Sequence, residues 1–268
     1  MADVWQANRS ISELAPETDD HVLAGALATA AGRRLLEIRA EVGFADPGAL
    51  RSAGDQGAQV LLAEQLSRLR PDDAVLSEEA GDDPARLDSS RVWIIDPLDG
   101  TREFSEQGRV DWAVHVALWI EGELVAGAVA LPGRRMTLCT PDMAAPQADS
   151  GRRPRVVVSR TRPPSAAQQV AASLDAELVP LGSAGAKVSA VILGEADVYV
   201  HGGGQYEWDS AAPVAVAGAA GLHASRLDGT RLVYNQANPY LPDLVVCRPA
   251  LAQDVLAILD RALGLPAP

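Results

Sequence analysis

Residues 91–96 read Arg-Val-Trp-Ile-Ile-Asp, an apolar run with no alternation that stops at a carboxylate. A strand apolar on both faces needs a covering layer on each side, so it belongs inside a stack of layers. The runs WAVHVALWI (112–120) and ELVAGAVAL (123–131) have the same character. With AVLS (74–77) and MTLCT (136–140) they form a consecutive set of strand candidates.

Helical spacing precedes this set. Leu23, Leu27, Ala31, Leu35 and Ile38 recur every three or four residues and predict an amphipathic helix over 20–40. A second helix is expected over 54–70, with Ala58, Leu62, Leu66 and Leu69 on one stripe and Pro71 past its end. The stretch 141–154, rich in Pro, Ala and Gly and without apolar period, reads as a connection between two lobes, 1–150 and 151–268. Beyond it the pattern alternates: strand 155–159, helix 164–174, strand 177–181, helix 186–196, strand 197–201 and helix 209–221. A short strand near His223, strand 243–247 and a terminal helix over 250–264 follow. Such alternation predicts a layered second lobe.

Composition narrows the partners. With 23 basic and 36 acidic residues the chain carries −13, which gives it no general attraction to a nucleic acid polymer or an anionic membrane. The first twenty residues lack a basic region followed by an apolar stretch, so a cytoplasmic protein is expected. Cys139 and Cys247 lie in apolar runs and read as buried strand cysteines, with a disulfide left open.

The chemistry concentrates in 91–104, RVWIIDPLDGTREF. Asp96 leaves a buried strand at the sheet rim, and Pro97 turns the chain so that Asp99 returns a second carboxylate beside the first. Two close carboxylates repel unless a cation stands between them, and hard divalent cations favour oxygen donors. Gly100 and Thr101 are placed to open a helix whose first amides can take an anion. A plain turn capped by Asp99 or Thr101 would leave Asp96 without a partner, so the cation reading prevails. By themselves, Glu78-Glu79 reads as a solvated acidic loop, and Asp209 and Asp55 as helix caps.

In this order, Glu78-Glu79, Asp96-Pro97-Leu98-Asp99-Gly100-Thr101 and Trp208-Asp209-Ser210-Ala211-Ala212 resemble the motifs of the inositol monophosphatase superfamily. The likeness spans roughly 20–264 and is greatest to its CysQ-type 3′(2′),5′-bisphosphate nucleotidases, on DPLDGTREF, SEE, the stretch from Lys187 through GEADVYV, and YN…P…DLVVC. The resemblance implies an α+β fold, a layered αβαβα sandwich, and a phosphomonoester hydrolase using two or three Mg²⁺ ions and inhibited by Li⁺. It implies metal ligands at Glu78, Asp96, the Leu98 carbonyl, Asp99 and Asp209. Thr101, backed by Asp55, would activate water, with Glu78 also in the catalytic set, and the Gly100 and Thr101 amides would hold the phosphate.

On the substrate side the resemblance implies contacts from Arg162, Ser183, Lys187 and His201. Where such nucleotidases commonly carry S-R-S-H and G-S-S-x-K, this chain has Ser159-Arg160-Thr161-Arg162 and Gly182-Ser183-Ala184-Gly185-Ala186-Lys187. The leading expectation is removal of the 3′-phosphate of adenosine 3′,5′-bisphosphate. An inositol or fructose-1,6-bisphosphate phosphatase and a catalytically silent metal- or nucleotide-binding protein stand as alternatives. Homodimers are common among such proteins, although no interface signature marks these residues.

Overall fold

The computed structural model describes Trp5 and residues 11–141, 143–146 and 151–264, so part of the expected connection at 141–154 lies outside the described residues. Helix α1 (Asp20–Val42) is capped by Asp19, whose side chain accepts the amides of His21 and Val22. Its expected stripe, Leu23 to Ile38, is buried. Helix α2 (Pro47–Leu69) starts seven residues before the expected Gly54, with Asp46 as cap and Pro47 in its first turn. Two glycines of this helix are packing positions. A Cβ on Gly54 would lie 2.6 Å from the Phe104 ring, and one on Gly57 would collide with Ile38. Asp55 is therefore inside a helix and caps nothing.

The first sheet runs β1 (Ala74–Ser77), β2 (Arg91–Asp99), β3 (Ala113–Ile120), β4 (Glu123–Leu131) and β5 (Met136–Cys139), in that spatial order, parallel only between β1 and β2. One turn of helix, α3 (Thr101–Phe104), follows β2. The second sheet uses β6 (Arg155–Ser159), β7 (Glu177–Leu181), β8 (Val198–Tyr206), β9 (His223–Ser225) and β10 (Tyr240–Cys247), in the order β7-β6-β8-β10-β9. Between these strands lie α4 (Ser165–Ser173), α5 (Ala184–Ile192) and α6 (Glu207–Ala219), and α7 (Pro249–Leu263) follows β10.

Three apolar clusters order the layers. Trp93, Ile95, Val116 and Leu118 pack on α1 and α2, while Val92, Ile94 and Ala117, on the opposite face, pack with α5, α6 and the inner face of the second sheet. The outer face of that sheet, Val156, Val158, Val200 and Val245, is covered by α4 and α7. Helices, sheet, helices, sheet, helices is the expected five-layer sandwich, and both faces of β2 and β3 are covered as their sequences require. Small residues let the middle layer approach closely: a Cβ on Gly127 of β4 would lie 2.6 Å from Ala215 of α6.

Several boundaries differ from expectation: α5 ends at Ile192 and not at 196, and β10 starts at Tyr240 and not at 243. β8 continues past His201 to Tyr206 through Gly202-Gly203-Gly204, with a register shift opposite between Leu241 and Asp243. Helix α6 starts at Glu207, so Asp209 is its third residue and accepts the Tyr206 amide at 2.7 Å. Cys139 closes β5 and Cys247 closes β10, in different sheets; the Cys247 thiol is free and buried, which pushes its pKa to about 12. No helix among the described residues is long and apolar enough to cross a membrane.

Candidate metal centre

β2 ends at the bend Asp96-Pro97-Leu98-Asp99, where the pairing with β3 breaks register. Asp96 is 1% exposed. Its Oδ1 accepts the Leu98 amide at 3.0 Å, while its Oδ2 is buried without a hydrogen-bond partner. An unpartnered buried carboxylate oxygen is expensive and calls for a cation. The ligand oxygens of Asp96, Asp99 and Asp209 lie within 4.8 Å of one another. Asp209 comes from the first turn of α6, more than a hundred residues away in the chain.

Asp99 is anchored through one oxygen. Its Oδ2 accepts the Ser183 hydroxyl at 2.6 Å and the Gly185 amide at 2.6 Å. Nε2 of His115 stands 3.2 Å from the same atom, at ion-pair distance but off the line of a straight hydrogen bond. Gly100 forces this proximity: its φ is +87°, and a Cβ there would meet Ser183 at 3.0 Å. The helix it opens, α3, is a single turn, so few peptide dipoles add up there.

Charge follows the geometry. Burial, then the charges of Glu78, Asp99 and Asp209, holds the Asp96 carboxyl well above the ordinary carboxylate range. Burial and Asp99 push Asp209 up to about 6 against the Tyr206 amide, His115 and Lys187. Glu78, just beyond β1, is raised to about 7 by desolvation and by Asp209, with the neighbouring Asp96 carboxyl opposing. Asp99 goes the other way, to about 2: burial raises it, but the nearby His115 ring and its charge, then Ser183 and Gly185, prevail. Burial opposes protonation of His115, yet Asp99 and the Trp208 carbonyl raise its pKa. Three acids that resist ionisation together, beside an orphaned oxygen, form an oxygen-donor set suited to a hard divalent cation.

The Thr101 hydroxyl faces two acceptors, the Leu98 carbonyl at 3.2 Å and the Asp55 carboxylate. Burial and Glu79 push Asp55 up to about 6, against Thr101 and Arg51. Asp55, Thr101, Glu79, Arg51 and Gln59 line one open cleft.

The residues expected to meet substrate divide. The Ser183 hydroxyl is committed to Asp99 and to capping α5 through the Ala186 amide. Lys187 is 6% exposed, its Nζ donates to the Gly182 carbonyl at 2.6 Å, and it lies over the Tyr199 ring. Burial lowers its pKa against the pull of Asp99, Glu103 and Asp209. His201 is half-buried, with Nε2 3.2 Å from the Gly204 carbonyl and close enough to Lys187 to feel its charge. Arg162 stands exposed beyond β6, its amide on the Ser159 hydroxyl.

Sequence reasoning missed several supports. His115 carried a signal, as a lone polar residue within an apolar strand. The 1% exposed Arg86 carried none: it pairs with Asp82 and donates to the Asn235 side chain at 2.6 Å and the Gln236 carbonyl at 2.9 Å. Glu207 accepts the Asn235 and Gln236 amides, so the segment after Glu78 is tied to the start of α6. Asp111 pairs with Arg109 and accepts the Gly182 amide, which fixes the turn before Ser183.

A five-layer α+β sandwich with an acidic cluster that could take a cation, where β2 and α6 meet, defines the class. The chain belongs to the inositol monophosphatase family, whose model matches residues 23–261. It is 53% identical over 255 residues to the 3′-phosphoadenosine 5′-phosphate phosphatase of Mycobacterium leprae, covering 91% of this chain and 94% of the relative. It is 32% identical over 203 residues to the 3′(2′),5′-bisphosphate nucleotidase CysQ of Escherichia coli, covering 71% and 81%. Among solved structures, CysQ from Bacteroides thetaiotaomicron superposes with a TM-score of 0.74 at 25% identity, covering 85% of this chain and 97% of that one.

Proposed function

We propose that the protein is a Mg²⁺-dependent phosphatase that removes the 3′-phosphate of adenosine 3′,5′-bisphosphate. The observation that carries the metal chemistry is the convergence of Asp96, Asp99 and Asp209 around the unpartnered Oδ2 of Asp96. The substrate rests on the name of the mycobacterial relative at 53% identity. Glu78, Asp96, the Leu98 carbonyl, Asp99 and Asp209 would hold the cation. Bound there, Mg²⁺ supplies charge neutralisation at the phosphoryl group and makes water a better nucleophile at neutral pH.

The chain's own groups do the rest. The Thr101 hydroxyl, held by Asp55, orients the attacking water and passes its proton to the Asp55 carboxylate. The Gly100 and Thr101 amides bind the phosphoryl oxygens. Water oxygen bonds to phosphorus, and the bond from phosphorus to the 3′-oxygen breaks. That oxygen leaves and takes a proton from solvent, and Asp55 returns its proton to solvent. The products are adenosine 5′-monophosphate and inorganic phosphate. Lys187, with His201 and Arg162, is assigned to the second phosphate. Li⁺ inhibition and a cytoplasmic setting belong to the same reading.

The test is phosphate release with Mg²⁺ from adenosine 3′,5′-bisphosphate, inositol 1-phosphate and fructose 1,6-bisphosphate in parallel. Preference for the nucleotide is the expected result. Turnover of a sugar phosphate alone would keep the metal centre and overturn the substrate, and silence on all three from folded protein would overturn both.

A further inference from the structure

His115 sits in the middle of β3, fully buried, on the strand position directly opposite Asp96 of β2. The mechanism above gives it no task, yet its ring touches three elements of the site. Nδ1 is 2.9 Å from the carbonyl oxygen of Trp208, the residue before Asp209. Nε2 is 3.2 Å from Oδ2 of Asp99, and Nδ1 is 4.0 Å from the orphaned Oδ2 of Asp96. The third element, α5, supplies Gly185, whose amide donates to the same Asp99 oxygen at 2.6 Å. A Cβ on Gly185 would collide with Nε2, so the ring occupies the space that this glycine leaves.

Both ring nitrogens thus face oxygen acceptors on different layers, one on the first sheet and one on the middle helices. A neutral core histidine gives one N–H to an acceptor and offers its other nitrogen to a donor, whereas here both nitrogens face oxygens. We propose that His115 is a positioning residue for the metal centre, setting the separation between Asp99 on β2 and Asp209 on α6. By occupying Oδ2 of Asp99 with Ser183 and Gly185, it leaves Oδ1 as the oxygen for the cation. By gripping the Trp208 carbonyl, it fixes the first turn of α6, which carries Asp209. Outer partners that orient ligands in this way are worth about 10–100-fold in metal affinity. The inference rests on the metal-centre reading above.

The experiment measures Mg²⁺ binding to the substrate-free protein by titration calorimetry, with Tm and far-ultraviolet circular dichroism alongside. His115→Leu removes both contacts, His115→Gln retains a donor where Nε2 stands, and His115→Asn retains one where Nδ1 stands. The expected result is a loss of about 10–100-fold in Mg²⁺ affinity for His115→Leu, with recovery by Gln greater than by Asn, because only Gln reaches Asp99. Variants that bind Mg²⁺ within about twofold of wild type while losing Tm would reduce His115 to a core residue and overturn the proposal. Recovery by Asn equal to that by Gln would overturn the Asp99 contact. Should His115→Leu not fold, the comparison of Gln with Asn decides alone. Wild-type protein that binds no Mg²⁺ would sink the metal-centre reading itself, a result distinct from any of these.

Discussion

The Ser183 hydroxyl donates to Oδ2 of Asp99 at 2.6 Å while its oxygen accepts the Ala186 amide at 2.9 Å. One side chain therefore caps α5 and anchors the Asp99 carboxylate of β2. This explains why the turn Gly182-Ser183 packs so tightly: a Cβ on Gly182 would run into the Glu103 side chain, and one on Gly100 into Ser183 itself. The second half of the chain supplies the scaffold of a carboxylate from the first.

Replacing Asp99 with Asn keeps an oxygen for Ser183 and Gly185 but removes the charge that serves the cation. Turnover should fall by more than the ~10–100-fold seen for outer-shell partners, with little change in Tm. Phosphate release and thermal melts of the same preparation check this, and near-normal turnover would contradict the assignment of Asp99.

The acids of the cluster give a pH signature. Asp55 at about 6, Glu78 at about 7 and Asp209 at about 6 all lie above the usual values near 4 of an unfolded chain. Between those limits the folded protein holds protons that the unfolded chain has released, so metal-free stability falls as pH rises from about 4 to about 7. Melts without divalent cation should give a higher Tm at about pH 5 than at about pH 7.5, and Mg²⁺ should raise Tm more at the higher value. A metal-free Tm that climbs across this window would contradict the clustering of raised acids.

Arg86→Ala removes a buried cation that joins Asp82 to Asn235 and Gln236. Because Asp82 is partly exposed, the loss should be about 2–3 kcal/mol, below the range for breaking a fully buried pair. Urea denaturation measures it. The same variant should weaken Mg²⁺ binding, since the tie between the Glu78 segment and Glu207 at the head of α6 is cut.

Lys187→Ala tests the second phosphate. KM for adenosine 3′,5′-bisphosphate should rise more than KM for a monophosphate, with kcat less affected. Equal effects on both substrates would assign Lys187 to holding the Gly182 carbonyl and the Tyr199 face.

The sequence by itself determined much of the frame. The unalternating runs of β2 and β3 required layers on both sides, and the bend from Asp96 to Asp99 placed two acids at a sheet rim. Both are local, since side-chain period and turn chemistry are set within a few residues. Even there, the start of α2 at Pro47, capped by Asp46, lies seven residues before the Gly54 start expected from the apolar stripe in the sequence. Only the tertiary structure brought Asp209 to Asp99, seated His115 between Trp208 and Asp99, and set Asp55 against Thr101. It also buried Lys187, which the resemblance places only as a substrate contact. Such meetings depend on how five layers stack, and residues a hundred positions apart leave no periodic trace of the distance that packing will fix between them.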